Sequence, residues 1–162
     1  MIVVALGSNR DGPWGPPRAA VQRALAELDR GPIRLVAASR LLVSAPFGRL
    51  NQQAFVNAVC VIETHLPPEA LMRRLHSLER AAGRRRGSRW GPRSLDLDLI
   101  DYHGLMRRPP SRLVLPHPGI AERIFVLKPV AEIAPGWRHP LRKATAAQLL
   151  RRLTGTSQGA EI

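Results

Sequence analysis

Two carboxylates set two residues apart, in Leu95-Asp96-Leu97-Asp98-Leu99, are the sharpest chemical feature of this sequence. Side chains alternate along a strand and two residues rise roughly 6.6 Å, so Asp96 and Asp98 share one face while the leucines point into the core. A like-charged pair is costly there unless a cation sits beside it. Magnesium suits the position, because it takes one or two carboxylates and completes its shell with water and substrate phosphate. Taken alone, an Asp-x-Asp strand is more often a solvated polar face. The residues before it alter that balance. The segment Arg84-Arg85-Arg86-Gly87-Ser88-Arg89-Trp90-Gly91-Pro92-Arg93 carries five arginines and two glycines without periodicity. It predicts a mobile basic loop whose guanidinium forks can hold polyphosphate oxygens. By itself such a run is equally a solvated or RNA-binding stretch; beside the two carboxylates it favours phosphoryl chemistry.

Other candidates are weaker one by one. Phe55 and Asn57 fall on one face of an apolar run, where a ring and an amide can stack on and hydrogen-bond a flat heterocycle, although a lone amide there is more often a satisfied core group. Glu79 borders the apolar stripe of a helix with His76 one step farther round, and a plain surface role is the commoner fate of each. His117, in Leu115-Pro116-His117-Pro118, and Arg123 with Phe125 are likewise weak alone. No GxxxxGK[ST] phosphate loop and no protein-kinase catalytic loop is present, so a nucleotide site must be of another type.

The elements that must position these groups follow from period and punctuation. Ile2 to Leu6 predicts a strand ending in the turn residues Gly7-Ser8-Asn9. Pro16 and Pro17 open a helix in which Val21, Ala24, Leu25 and Leu28 recur at helical spacing until Gly31-Pro32. Ile33 to Val43 and Phe55 to Thr64 predict two strands joined by a long irregular loop. Pro68 opens a second helix with a stripe of Leu71, Leu75, Leu78 and Ala82, closed by Gly83. Leu95 to Tyr102 is a further strand, and a last helix spans 144–153 of a proline-punctuated remainder. The order strand, helix, strand, strand, helix, strand predicts an α/β (α+β) sandwich of the ferredoxin-like split βαβ kind. Its helices are expected on one face of a mainly antiparallel sheet, leaving the other face free for ligands.

The 162 residues, 44% of them hydrophobic, suit one domain over 1–154, with a polar tail over 155–162 expected to fray. The apolar start of the chain is brief and has no basic leader, and no apolar run is long enough to span a bilayer; both point to a cytoplasmic protein without a membrane partner. Cys60 is the single cysteine, which excludes an internal disulfide and a thiolate metal cluster. The net charge of +13 is almost wholly arginine, since Lys128 and Lys143 are the only lysines. Much of that excess is solvated surface, and only arginines clustered near unusual neighbours point to an anionic ligand.

Together these pieces resemble the hydroxymethyl-dihydropterin pyrophosphokinase family of folate synthesis. The resemblance rests on Ala5-Leu6-Gly7-Ser8-Asn9, Phe55-Val56-Asn57-Ala58, Arg89-Trp90-Gly91-Pro92-Arg93-Ser94-Leu95-Asp96-Leu97-Asp98, Leu115-Pro116-His117 and Glu132-Ile133-Ala134-Pro135, in that order. It implies transfer of the terminal diphosphate of ATP to the hydroxymethyl group of the reduced pterin, with release of AMP, by a monomer acting on small molecules and not on nucleic acid. It implies that Asp96 and Asp98 bind two magnesium ions and that Arg84 and Arg86 belong to a catalytic loop closing over ATP. His76, Glu79, Arg89, Arg93, Leu99, Arg112 and His117 match nucleotide-contacting positions. Ser44, Ala45, Phe47, Phe55, Asn57, Trp90, Arg123 and Phe125 match the pterin pocket. His76, Phe55, Leu42 and Gly119 depart from the residues common in the family. Two rival readings remain open on the residues alone: an RNA-binding module on the same sheet, and a metal-dependent hydrolase using the same carboxylates.

Overall fold

The central strand β1 (Ile2–Ser8) is buried along its whole length, as its near-continuous apolar run requires. The computed structural model describes residues 1–44, 54–84 and 94–160. After β1, helix α1 (Pro17–Glu27) starts with proline at its first helical position, and Ala20, Val21 and Ala24 form its buried stripe. Strands β2 (Ile33–Ala38), β3 (Leu42–Ser44) and β4 (Phe55–Thr64) follow, then helix α2 (Pro68–Ala81), strand β5 (Asp96–Tyr102), a 3-10 turn (Ile120–Glu122), helix α3 (Ile124–Ile133) and helix α4 (Ala146–Ala160).

The sheet runs β2-β4-β1-β5, with β3 also on β4, and every pairing is antiparallel. The strand expected over 33–43 is broken in two. Val36 is a bulge residue between Leu35 and Ala37, and Ser39 ends the pairing: its Oγ accepts the Val59 N–H at 2.9 Å, replacing a ladder bond. Helix α2 has Glu69 in its first turn and Arg80 in its last, both favourable to its dipole. Gly83, at φ 103°, terminates it as the sequence implies, because a Cβ there is disfavoured by the backbone and would meet Pro13 Cδ at 2.6 Å.

One expectation fails. The sheet has helices on both faces, so the second face is not free. Ile2, Val4 and Leu6 of β1 pack with α1 and α2, whereas Val3 and Ala5 pack with α3, α4 and Trp137. Alternation along β1 makes both faces apolar, and each needs a cover. Helix α3 was hidden in the sequence by Pro129, which sits inside it and removes one backbone donor, while Val126, Leu127 and Val130 form its buried side. Helix α4 runs to Ala160, beyond the 144–153 helix read from the sequence. No helix among the described residues is long and apolar enough to cross a membrane.

Candidate active site

Helices α3 and α4 cover only part of their face, and the site lies at the uncovered end of it. In the sheet register Gly7 stands opposite Asn57 on one side and opposite Asp96 on the other. Directly opposed residues of antiparallel strands share a face, so Asn57, Gly7 and Asp96 form one row across three strands. One step along β5, Asp98 is paired with Ala5 on the same face. The row is possible because position 7 lacks a side chain: a Cβ there would stand 3.0 Å from Asn57 Oδ1 and 3.9 Å from Phe55 Cδ1. Asn57 is buried and donates from Nδ2 to Ser44 Oγ at 2.8 Å, which fixes its amide and leaves Oδ1 over Gly7.

The carboxylates are reachable, with Asp96 and Asp98 side chains 30% and 31% exposed. Each has a guanidinium beside it. Arg84 Nη1 lies 3.3 Å from Asp96 Oδ1, and Arg123 Nη1 lies 3.6 Å from Asp98 Oδ2. The Arg123 guanidinium also stands 6.0 Å from the centre of the Phe125 ring at the start of α3. Behind the pair, Glu79 is 1% exposed. Its Oε2 accepts from the Leu97 backbone N–H at 2.9 Å and from Arg84 Nη1 at 2.5 Å. Burial pushes its carboxyl up to about 7, against the lowering effect of the Leu97 N–H and Arg84 and with the raising effect of the neighbouring Asp96.

His117 is tied into the site by its backbone, whose N–H donates to the Ile100 carbonyl at 2.9 Å. Its Nδ1 accepts from the Gly119 N–H at 3.1 Å, which leaves the ring proton on Nε2. Burial foremost, then the Arg123 charge, lowers its pKa, against the raising effect of Asp96, so the ring is a neutral donor at neutral pH. His76 on α2 is lowered too, by burial and then by Arg84 and Arg80.

The row joins a buried amide to a partly exposed carboxylate, with a second carboxylate one step along β5 on the same face. The sequence model of the 7,8-dihydro-6-hydroxymethylpterin-pyrophosphokinase family matches residues 3–135. The chain belongs to this family. It is 43% identical over 140 residues to the 2-amino-4-hydroxy-6-hydroxymethyldihydropteridine pyrophosphokinase of Pseudomonas aeruginosa, covering 86% of this chain and 83% of that one. It is 38% identical over 156 residues to the protein of the same name from Synechocystis sp., covering 96% and 77% of the two chains. It is also 38% identical over 132 residues to the folate synthesis bifunctional protein, mitochondrial, of Arabidopsis thaliana, covering 82% of this chain and 23% of that one.

Within this pyrophosphokinase fold, ion pairs join Arg84 to Glu79 and Asp96 and, separately, Arg123 to Asp98, His117 bonds to Ile100 and Gly119, and Ser44, Phe55 and Asn57 meet at the paired ends of β3 and β4. Leu99 has its side chain in the core beneath α1 and α2, so only its backbone is available to a ligand. Arg112 is exposed in the connection after β5. Ala45, Phe47, Arg86, Arg89, Trp90 and Arg93 lie outside the described residues. Gly7 escaped the sequence reading, which took it as turn chemistry; it lies inside β1, directly opposite the buried amide of Asn57 on the adjacent strand β4.

Proposed function

We propose that Asp96 and Asp98 hold a pair of magnesium ions with bound ATP, and that this pyrophosphokinase passes the terminal diphosphate to the hydroxymethyl oxygen of 6-hydroxymethyl-7,8-dihydropterin, releasing AMP. The donor set suits the metal. It offers hard carboxylate oxygens a third exposed, and no group of three or more His, Cys, Asp or Glu among the described residues builds an all-protein cage. When bound, magnesium supplies charge neutralisation at the phosphate oxygens and alignment of the triphosphate.

The chain's own residues divide the remaining work. Asn57 hydrogen-bonds the pterin edge while Phe55, Phe125 and Trp90 pack on its rings, bordered by Ser44, Ala45, Phe47 and Arg123. The Nε2–H of His117, with His76, Arg112, Glu79 and the Leu99 backbone, lies on the nucleotide side, and Arg84, Arg86, Arg89 and Arg93 bring positive charge to the phosphates. The acceptor oxygen attacks the β-phosphorus in line as the bond to AMP breaks, a reaction governed by positioning and electrostatics. No side chain is assigned as a general base. The enzyme is read as a cytoplasmic monomer whose catalytic domain spans 1–154, acting on small molecules and not on nucleic acid or membranes.

The observation that supports this reading is the row Asn57–Gly7–Asp96, which sets a buried amide and a partly exposed carboxylate on one face of neighbouring strands. The test is to incubate the protein with ATP, magnesium and the hydroxymethyl-dihydropterin and separate the nucleotides. AMP formed only with the pterin, and lost in Asp96→Ala, is expected; ADP, free phosphate without acceptor, or no turnover defeats the reading.

A further inference from the structure

Among the described residues β5 is an edge strand, since the sheet order ends on it, and an edge strand leaves alternate N–H groups without a strand partner. One of these, on Leu97, lies between the two carboxylates of the site. It is taken up by Glu79, from α2, at 2.9 Å. The same oxygen, Oε2, holds Arg84 at 2.5 Å, and Arg84 in turn reaches Asp96 at 3.3 Å. Glu79 has a side chain only 2% exposed, so it is placed to act on its protein neighbours rather than on a ligand. The Arg84 side chain, 33% exposed, sits between this buried acid and the reachable Asp96.

We propose that Glu79 is a positioning residue of the diphosphoryl-transfer site: it fixes the backbone between Asp96 and Asp98, and it retains the Arg84 guanidinium when Asp96 turns to a cation. This rests on the function proposed above. Without the Glu79 carboxyl, Asp96 is the remaining acid partner of Arg84 among the described residues, and Arg84 competes with the metal for it. With the anchor, Arg84 can give up Asp96 and remain beside the incoming phosphates. A direct nucleotide contact by Glu79 would not depend on Arg84, and this separates the two roles.

The experiment has two parts. In the wild-type protein, amide hydrogen exchange read residue by residue should show Leu97 protected, although it faces the open edge of the sheet. In the second part, binding of magnesium with a non-hydrolysable ATP analogue is measured by calorimetry for the wild type, Glu79→Gln, Arg84→Ala and the double variant. Glu79→Gln, which keeps the volume and one acceptor oxygen, should weaken binding about tenfold in the wild-type background and less than about threefold beside Arg84→Ala. Equal losses in both backgrounds, unchanged binding in Glu79→Gln, or a Leu97 amide that exchanges like a free one would overturn the proposal. The exchange measurement needs no variant to fold. Pterin-dependent AMP from the wild type with additive losses sinks this inference alone, whereas absence of AMP sinks the function on which it rests.

Discussion

Replacing Gly7 with alanine should separate stability from substrate binding. The added Cβ would stand 3.0 Å from Asn57 Oδ1 and 3.9 Å from both Phe55 Cδ1 and the Val56 carbonyl oxygen, so the amide of Asn57 must give way by a few tenths of an ångström. The amide is not free to do so without cost, because its Nδ2 is committed to Ser44 Oγ at 2.8 Å. Turning it off its rotamer costs ~0.5–1.5 kcal/mol. Against this, alanine in a strand restricts the unfolded chain and recovers ~0.5–1 kcal/mol. The two nearly cancel in the folding equilibrium, and the melting temperature should move by only a few degrees. Ligand binding has no such offset. An amide that stays displaced forfeits the proposed hydrogen bond to the pterin, worth ~0.5–1.5 kcal/mol, so the pterin KM should rise by roughly 2- to 13-fold. The KM for ATP should stay within about twofold, since no nucleotide group in the proposed site meets position 7. Steady-state assays with each substrate varied in turn, alongside a thermal melt, read all three quantities. An unchanged pterin KM, or a rise in the ATP KM of equal size, would refute the reasoning that Gly7 exists to seat Asn57.

Two further outcomes follow from groups outside the site. Trp137 Nε1 donates to Asp101 Oδ2 at 2.8 Å, and both residues are buried, so Trp137→Phe leaves a buried carboxylate oxygen without its donor; calorimetry should show a loss of about 2–3 kcal/mol, and a change below about 0.5 kcal/mol would contradict it. His139 is buried and its Nδ1 accepts from the N–H groups of Leu141 and Arg142, both at 3.1 Å, and burial lowers its pKa. The unfolded chain therefore binds a proton near pH ~6.5 that the folded chain binds only at lower pH, so stability is full above that value and falls as pH drops through the folded pKa. His139→Asn, which keeps an acceptor and cannot titrate, should lose less melting temperature between pH 7.5 and 5 than the wild type; identical losses would remove His139 as a cause.

Much of the site was legible because its chemistry is local in sequence. Alternation alone put Asp96 and Asp98 on one face, and the spacing of Phe55 and Asn57 did the same on β4, as the register bears out. The stripe of α2 was legible for the same reason, with Leu71, Leu75 and Leu78 all buried. What escaped depends on partners distant in the chain. The cover of the second sheet face is supplied by α3 and α4, and α3 is punctuated by a proline that argues against a helix until the apolar surface of Val3, Ala5, Val59 and Val61 is there to hold it. The break between β2 and β3 turns on a hydroxyl, that of Ser39, taking over the Val59 N–H, which no propensity anticipates.

Glu79 shows where local reading stops most plainly. From the helix alone it is a charged residue at the border of an apolar stripe, and solvent is the ordinary destination of such a side chain. It is buried instead because the edge of β5 presents an N–H that needs an acceptor, and because Arg84 arrives at the end of the same helix to balance its charge. Neither partner is visible from residue 79. The sheet order places β5 outermost, the register places Leu97 between the two carboxylates, and the end of α2 places Arg84 within reach of both acids. An acid that looks like a surface group in one dimension thus becomes the link between the backbone of β5, which carries Asp96 and Asp98, and the first arginine of the basic segment. Its removal should therefore be felt at Asp96 through Arg84 and at the Leu97 backbone directly, and little at groups that neither Glu79 nor Arg84 touches.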